Sequence, residues 1–231
     1  MKVTSSYAVE IKHINKLFRD TVKIYRKALS FLVDVYEKEW EYLSIIPNKL
    51  QRQTVAENLI HNTKSNKAKY EFDEEFYKFP SYLRRDARNT ALGIVSGYHS
   101  SLDNWEMSGK KGNKPVLQKN HYAMPVFFRD NMYQNTRSDT SCKLKIFKDK
   151  DWIWVTVNHK KTDVDYLKKY WSHTKPSAPK LEKRYKKWFL RFSYEEDIML
   201  SKEPANKLSV RLLGNKKTTP ARCCFTIQYY P

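Results

Sequence analysis

Glycine is scarce in this chain, with five in 231 residues. None is grouped into a Gly-rich loop of the kind that cradles a nucleotide phosphate, and neither a G-x-S-x-G elbow nor an H-E-x-x-H pair occurs. Cysteine is nearly absent. Cys142, Cys223 and Cys224 are an odd number with no C-x-x-C spacing, which excludes a disulfide framework and argues against a zinc site. The six histidines are scattered, with no i,i+4 pair. No run approaches the ~20 apolar residues of a membrane span. The opening "MKVTSSYAVEIKHINK" has no uninterrupted apolar core such as a secretory signal needs. The expectation is a cytoplasmic protein with no metal or cofactor of its own and no membrane partner.

Acidic residues are the other shortage. Asp and Glu number 25 against 44 Lys and Arg, a formal charge of +19. A field of that sign attracts polyanions, nucleic acid first and an anionic membrane surface second. Hydrophobic residues at 40% and charged residues at 30% describe a globular chain able to bury a core.

Along the chain, Val3 to Lys12 reads as a strand. From Ile14 apolar residues recur at three and four as far as Leu43, and nothing breaks them before Pro47, so one long amphipathic helix is expected. A second helix is expected over about Lys49 to His61, and a third in "SNKAKYEFDEEFYK". Another starts after Phe79-Pro80 with Ser81 as N-cap and carries the stripe Leu83, Ala87, Ala91, Ile94, Tyr98, Leu102 and Trp105. Beyond the linker "MSGKKGNKP" the pattern turns to strands: one in "HYAMPVFFRDNMY", then Cys142 to Phe147 and Trp152 to Val157 as a hairpin across "KDKD". "TDVDYLKKYW" reads as a short helix. In the last strand Trp188, Leu190, Phe192 and Tyr194 alternate with their neighbours. Trp152, Trp154, Trp188 and Phe192 lie at strand spacing and are expected in the core.

Two basic clusters are candidates for phosphate binding. Between Lys160 and Arg191 eleven Lys and Arg meet three acids, and Lys183, Arg184, Lys186 and Lys187 flank Tyr185 and Trp188. Clustered cations neutralise phosphates, and exposed aromatics beside them stack on unpaired bases. The alternative is a solvated strand edge, where lysine blocks aggregation. Arg84, Arg85 and Arg88 gather near a helix start and suit a phosphate clamp, or equally a solvated face. Lys110 and Lys111 in the linker complete the candidate set. The paired carboxylates of "TDVD" have the Thr162-x-x-Asp165 spacing of a capping box rather than of a catalytic dyad. No catalytic residue is identified.

Several stretches, in order, carry a resemblance: "YEKEWEYLS", "FPSYLRRDARNTALGIVSGYHSSLDNWE", "GNKPVLQKNHYAMPVFFRDNMY", "CKLKIFKDKDWIWVTV" and "YWSHTKPSAPKLEKRYKKWFLRFSYEED". Together they resemble the N-terminal half of the TnpB (OrfB) proteins of bacterial insertion sequences, which are RNA-guided DNA nucleases related to type V CRISPR effectors. The resemblance implies an α+β fold with three parts. Residues 1–13 and 112–200 would be a β-barrel-like wedge domain, residues 14–111 an inserted helical recognition domain, and residues 201–231 the truncated start of a RuvC-like nuclease domain. It implies guide RNA and target DNA as partners, with sequence read by base pairing while the protein holds backbone, in a nucleoid-associated setting. The family's nuclease strand carries V-D-L-G-I-N, whose aspartate binds a catalytic metal. This sequence has Val210-Arg211-Leu212-Leu213-Gly214-Asn215, with Arg211 or Leu212 where the aspartate belongs. Full-length relatives use magnesium and zinc, and this chain is expected to hold neither and to lack nuclease activity.

Overall fold

The structure, a computed structural model, describes residues 2–12, 16–118 and 122–197. Its compact unit is Thr4–Glu195, and Lys2, Val3, Glu196 and Asp197 fall to a second unit. The described elements are β1 (Lys2–Ile11), α1 (Arg19–Lys38), α2 (Trp40–Ser44), α3 (Lys49–Asn58), α4 (Phe72–Glu75), α5 (Ser81–Met107), β2 (Tyr133–Asn135), β3 (Ser141–Lys148), β4 (Asp151–Asn158), α6 (Lys161–Trp171), β5 (Lys180–Arg184) and β6 (Lys187–Asp197). The chain is therefore mixed α and β, with a strand, a run of helices and then strands. The residues expected to begin a nuclease domain, with Arg211, Cys223 and Cys224, lie outside the described residues.

The helices form where the apolar period is strongest. Val22, Tyr25, Ala28, Leu29, Leu32, Val33 and Tyr36 are buried along α1. They meet Leu83, Ala87, Ala91 and Val95 of α5, whose alanines let the two helices approach closely. The expected single helix to Pro47 instead breaks at Glu39 (φ −99°, ψ 10°). There the carboxylate accepts from Lys69 Nζ at 2.5 Å and Tyr70 Oη at 2.6 Å. Those partners lie some thirty residues away, which no local period reveals. Asn48 caps α3, its side chain accepting from the amides of Leu50 and Gln51. The expected third helix shrinks to the single turn α4, pinned by ring contacts among Phe31, Phe72, Phe76 and Phe79. Ser81 does not cap α5, since Pro80 occupies the cap position and no side chain serves it.

The strands make two separate three-stranded sheets, ordered β1-β6-β5 and β2-β3-β4. No closed barrel forms among the described residues, contrary to the barrel-like expectation: each sheet keeps its own edges. β3 and β4 pair antiparallel from Ser141↔Asn158 to Lys148↔Asp151. Their turn, Asp149-Lys150, has two positive φ values, 51° and 65°, as a type I′ hairpin requires. Among the described residues "HYAMPVFFRDNMY" yields the start of β2 and two isolated bridges, Val126 to Lys180 and Arg129 to Tyr133. Pro125 lacks an amide donor, and the amides of Met132 and Tyr133 both turn back to Phe128 O. Trp188, Leu190, Phe192 and Tyr194 all point into the core, as their alternation requires. Trp152 is buried against Phe79 and Phe147, but Trp154, two residues on along the same face of β4 and across from Lys145, is 39% exposed.

Helices and strands share one core. Phe18 lies edge-on to Trp188 at 5.3 Å and to Phe127 at 6.5 Å. Phe79 meets Trp152 at 5.6 Å. The amide of Phe147 donates to the buried Thr21 hydroxyl at 2.9 Å. In α6 the expected capping box is not made: Thr162 and Asp165 fall inside the helix, and Lys160 precedes it without a side-chain bond. Asp163 instead accepts from the Glu10 amide at 2.9 Å, tying α6 to β1.

Candidate nucleic-acid interface

The two basic clusters meet opposite fates. At the start of α5, Arg84 and Arg88 are 7% and 8% exposed. Arg84 Nε donates to Glu57 Oε1 at 2.8 Å and Nη1 to Asp73 Oδ1 at 3.2 Å, while Arg88 Nη1 donates to Glu57 Oε2 at 3.0 Å. One carboxylate of α3 thus bridges both guanidinium groups, and Asp73 also contacts His61 Nδ1 at 2.7 Å. Buried cations survive only when paired in this way. Neither arginine presents its charge to solvent: both are held in an internal ion-pair network. Arg85 points outward, its guanidinium 5.1 Å from the centre of the Tyr82 ring. Lys110 and Lys111 are exposed just past α5, with Lys110 Nζ 5.8 Å from the Trp105 ring.

The second cluster is a surface. β5 and β6 form an antiparallel hairpin closing at Arg184↔Lys187, and Lys183, Arg184, Lys186 and Lys187 are all exposed. Glu182 accepts from Arg184 Nε at 2.6 Å and Arg191 Nε at 2.9 Å. Burial pushes the Glu182 pKa up, but these two arginines outweigh it and hold the carboxyl below its usual range. Lys187 Nζ reaches Glu10 at 2.8 Å. Five cations therefore meet two half-buried carboxylates, and the hairpin keeps a surplus of positive charge.

A cleft of about 950 Å³ opens beside this hairpin. One wall is the polar face of α1, where Arg19, Lys23, Arg26, Lys27, Ser30 and Asp34 follow at helical spacing. The other wall takes Lys183 and Trp188 from the hairpin, with Tyr122 and Met124 from the segment before β2. Arg26 holds that segment, donating to the carbonyls of Ala123 at 3.1 Å and Tyr122 at 3.2 Å, with its guanidinium 5.7 Å from the Tyr122 ring. Asp86 fixes the same segment from below, accepting from the Val126 amide at 3.2 Å and from Tyr25 Oη at 2.7 Å. Burial raises the Asp86 pKa, and those two donors work against the shift.

Among the described residues no ion pair holds Arg19, Lys23 or Lys27. Five cations line the cleft against Asp34 and Glu75. These α1 residues were missed in the sequence because they are dispersed among the apolar positions of a helix. Their spacing of four, seven and eight from Arg19 is the signal that would have found them.

Residues 5–148 match the sequence model of the Aq_aa04 family, more than half of the chain. The chain belongs to that family. The matched span takes in α1 and the segment around Tyr122, and it ends before the β5–β6 hairpin. A search of curated proteins returns no significant match. Among the described residues no helix is long and apolar enough to cross a membrane. No group of three or more His, Cys, Asp or Glu side chains converges among them as a metal site would require.

Proposed function

We propose that the protein binds nucleic acid, holding the phosphate backbone between α1 and the β5–β6 hairpin. The observation that carries this reading is the row Arg19, Lys23 and Lys27, exposed cations with no carboxylate partner among the described residues, along one wall of a large cleft. Arg19 to Lys27 spans roughly 12 Å of helix, so the row meets several charges of an extended polyanion at once rather than one small anion. Binding of this kind releases counterions and weakens steeply with salt.

The sequence resemblance extends the reading to a transposon-associated, RNA-guided DNA-binding protein without a nuclease centre. Its partners are then a guide RNA and the DNA paired to it, with the protein reading backbone and shape. Recombinant protein is expected to co-purify with a discrete short RNA that protects the chain from proteolysis. Protein that emerges free of nucleic acid at moderate salt, with no affinity for any RNA, contradicts the proposal. Tight binding that shows no preference among RNAs would reduce it to a basic RNA-binding protein acting through charge alone.

A further inference from the structure

Tyr185 stands at the tip of the β5–β6 hairpin with φ 54°, the one aromatic residue among the described non-glycine positions of positive φ. That region of backbone space is unfavourable for a bulky side chain and suits Gly, Asn or Asp at a turn. Nothing among the described residues repays the strain. The side chain is 87% exposed and makes no hydrogen bond or ring contact among the described residues. Its neighbours are Lys183, Arg184, Lys186 and Lys187, and Lys183 lines the cleft. Tyr122, on the cleft wall, is equally exposed at 87% and is braced by Arg26. A strained, solvent-facing ring amid cations points to a ligand that covers it.

We infer that the cleft takes unpaired nucleotides, with Tyr122 and Tyr185 stacking on bases while Arg19, Lys23 and Lys27 hold phosphates. The inference rests on the nucleic-acid reading above and adds the strandedness of the ligand. The chemistry favours a single strand because a duplex hides the base faces inside its own stack and presents only backbone and groove edges. Tyrosine rings then have nothing to stack on. An unpaired strand offers a base face for each ring and a phosphate for each cation, whatever its sequence.

The test is a set of anisotropy titrations at one fixed salt, with labelled oligo(dT), oligo(U) and a blunt duplex of equal length. At least one single strand is expected to bind more tightly than the duplex by about 25-fold or more, about fivefold for each of two stacked rings. Tyr122→Ala with Tyr185→Gly should erase that preference, costing about fivefold or more per ring, and leave duplex affinity unchanged. Tyr185→Trp in the otherwise native chain should keep it. Thermal melting confirms that the variants fold, since both positions are exposed and Gly suits the turn. Equal affinity for duplex and single strand, or a preference that survives loss of both rings, overturns the inference and leaves backbone binding standing. Failure to bind any of the three overturns the nucleic-acid reading itself.

Discussion

The arginines that open α5 and the cations of α1 carry the same charge, lie on helices that pack together, and do different work. Arg84 and Arg88 are buried against Glu57 and Asp73, whereas Arg19, Lys23 and Lys27 are exposed along a cleft with no ion-pair partner among the described residues. The α5 pair is conspicuous in the sequence as "RRDAR", and the α1 row is not. A cluster along the chain is thus a poor guide to a cluster in space. Consecutive residues on a helix diverge by 100°, so "RRDAR" sends Arg84 and Arg88 one way and Arg85 another. Residues at four, seven and eight converge.

The largest test of this contrast is Glu57→Ala. Removing the carboxylate leaves two nearly buried guanidinium groups short of a partner, and a loss of about 3–5 kcal/mol is expected in a denaturant titration. A loss below about 1 kcal/mol would mean that the network is solvated and the contrast false. By comparison, Lys23→Glu with Lys27→Glu should leave the unfolding free energy within about 0.5 kcal/mol of the native protein, because these side chains make no ion pair among the described residues.

A second buried group sharpens the interior side. His159 is buried with Nδ1 unpaired among the described residues, and burial pushes its pKa down to about 4, with Asp163 pulling the other way. The unfolded chain takes up that proton first as pH falls, so this contribution is intact above about pH 6.5 and is lost on the way to pH 4. The loss amounts to about 3 kcal/mol. His159→Gln should flatten that part of the pH–stability curve; a curve of unchanged steepness would show that His159 is not held neutral. A smaller effect than these buried groups give belongs to the hairpin tip. Tyr185→Gly should raise stability by about 1 kcal/mol or less, as strain at the turn is relieved, and a fall in stability would show the ring to be a structural contact.

Much of the fold was legible where one period dominates. The apolar stripes of α1 and α5 and the alternation of Trp188, Leu190, Phe192 and Tyr194 locate helix and strand, because burial of one face is the strongest local constraint. What was not legible depended on distant partners. The break at Glu39 answers to Lys69 and Tyr70, Asp163 serves the Glu10 amide rather than a cap, and Phe79, distant in sequence, covers Trp152 while Trp154 on the same face stays exposed. Of the candidate site, the hairpin lysines were legible because a two-residue turn keeps sequence neighbours together in space. The α1 wall of the cleft was not, since it becomes a wall only when β5, β6 and the Tyr122 segment fold against it.

The most direct test measures affinity for a labelled single strand across a range of salt, for the native chain and for Lys23→Glu with Lys27→Glu. If the α1 row binds phosphate, the plot of log affinity against log salt should become shallower by about 1.4, the share of two phosphate contacts, with the unfolding midpoint unchanged. An identical slope in the two proteins would contradict the account and move the binding surface elsewhere on the molecule.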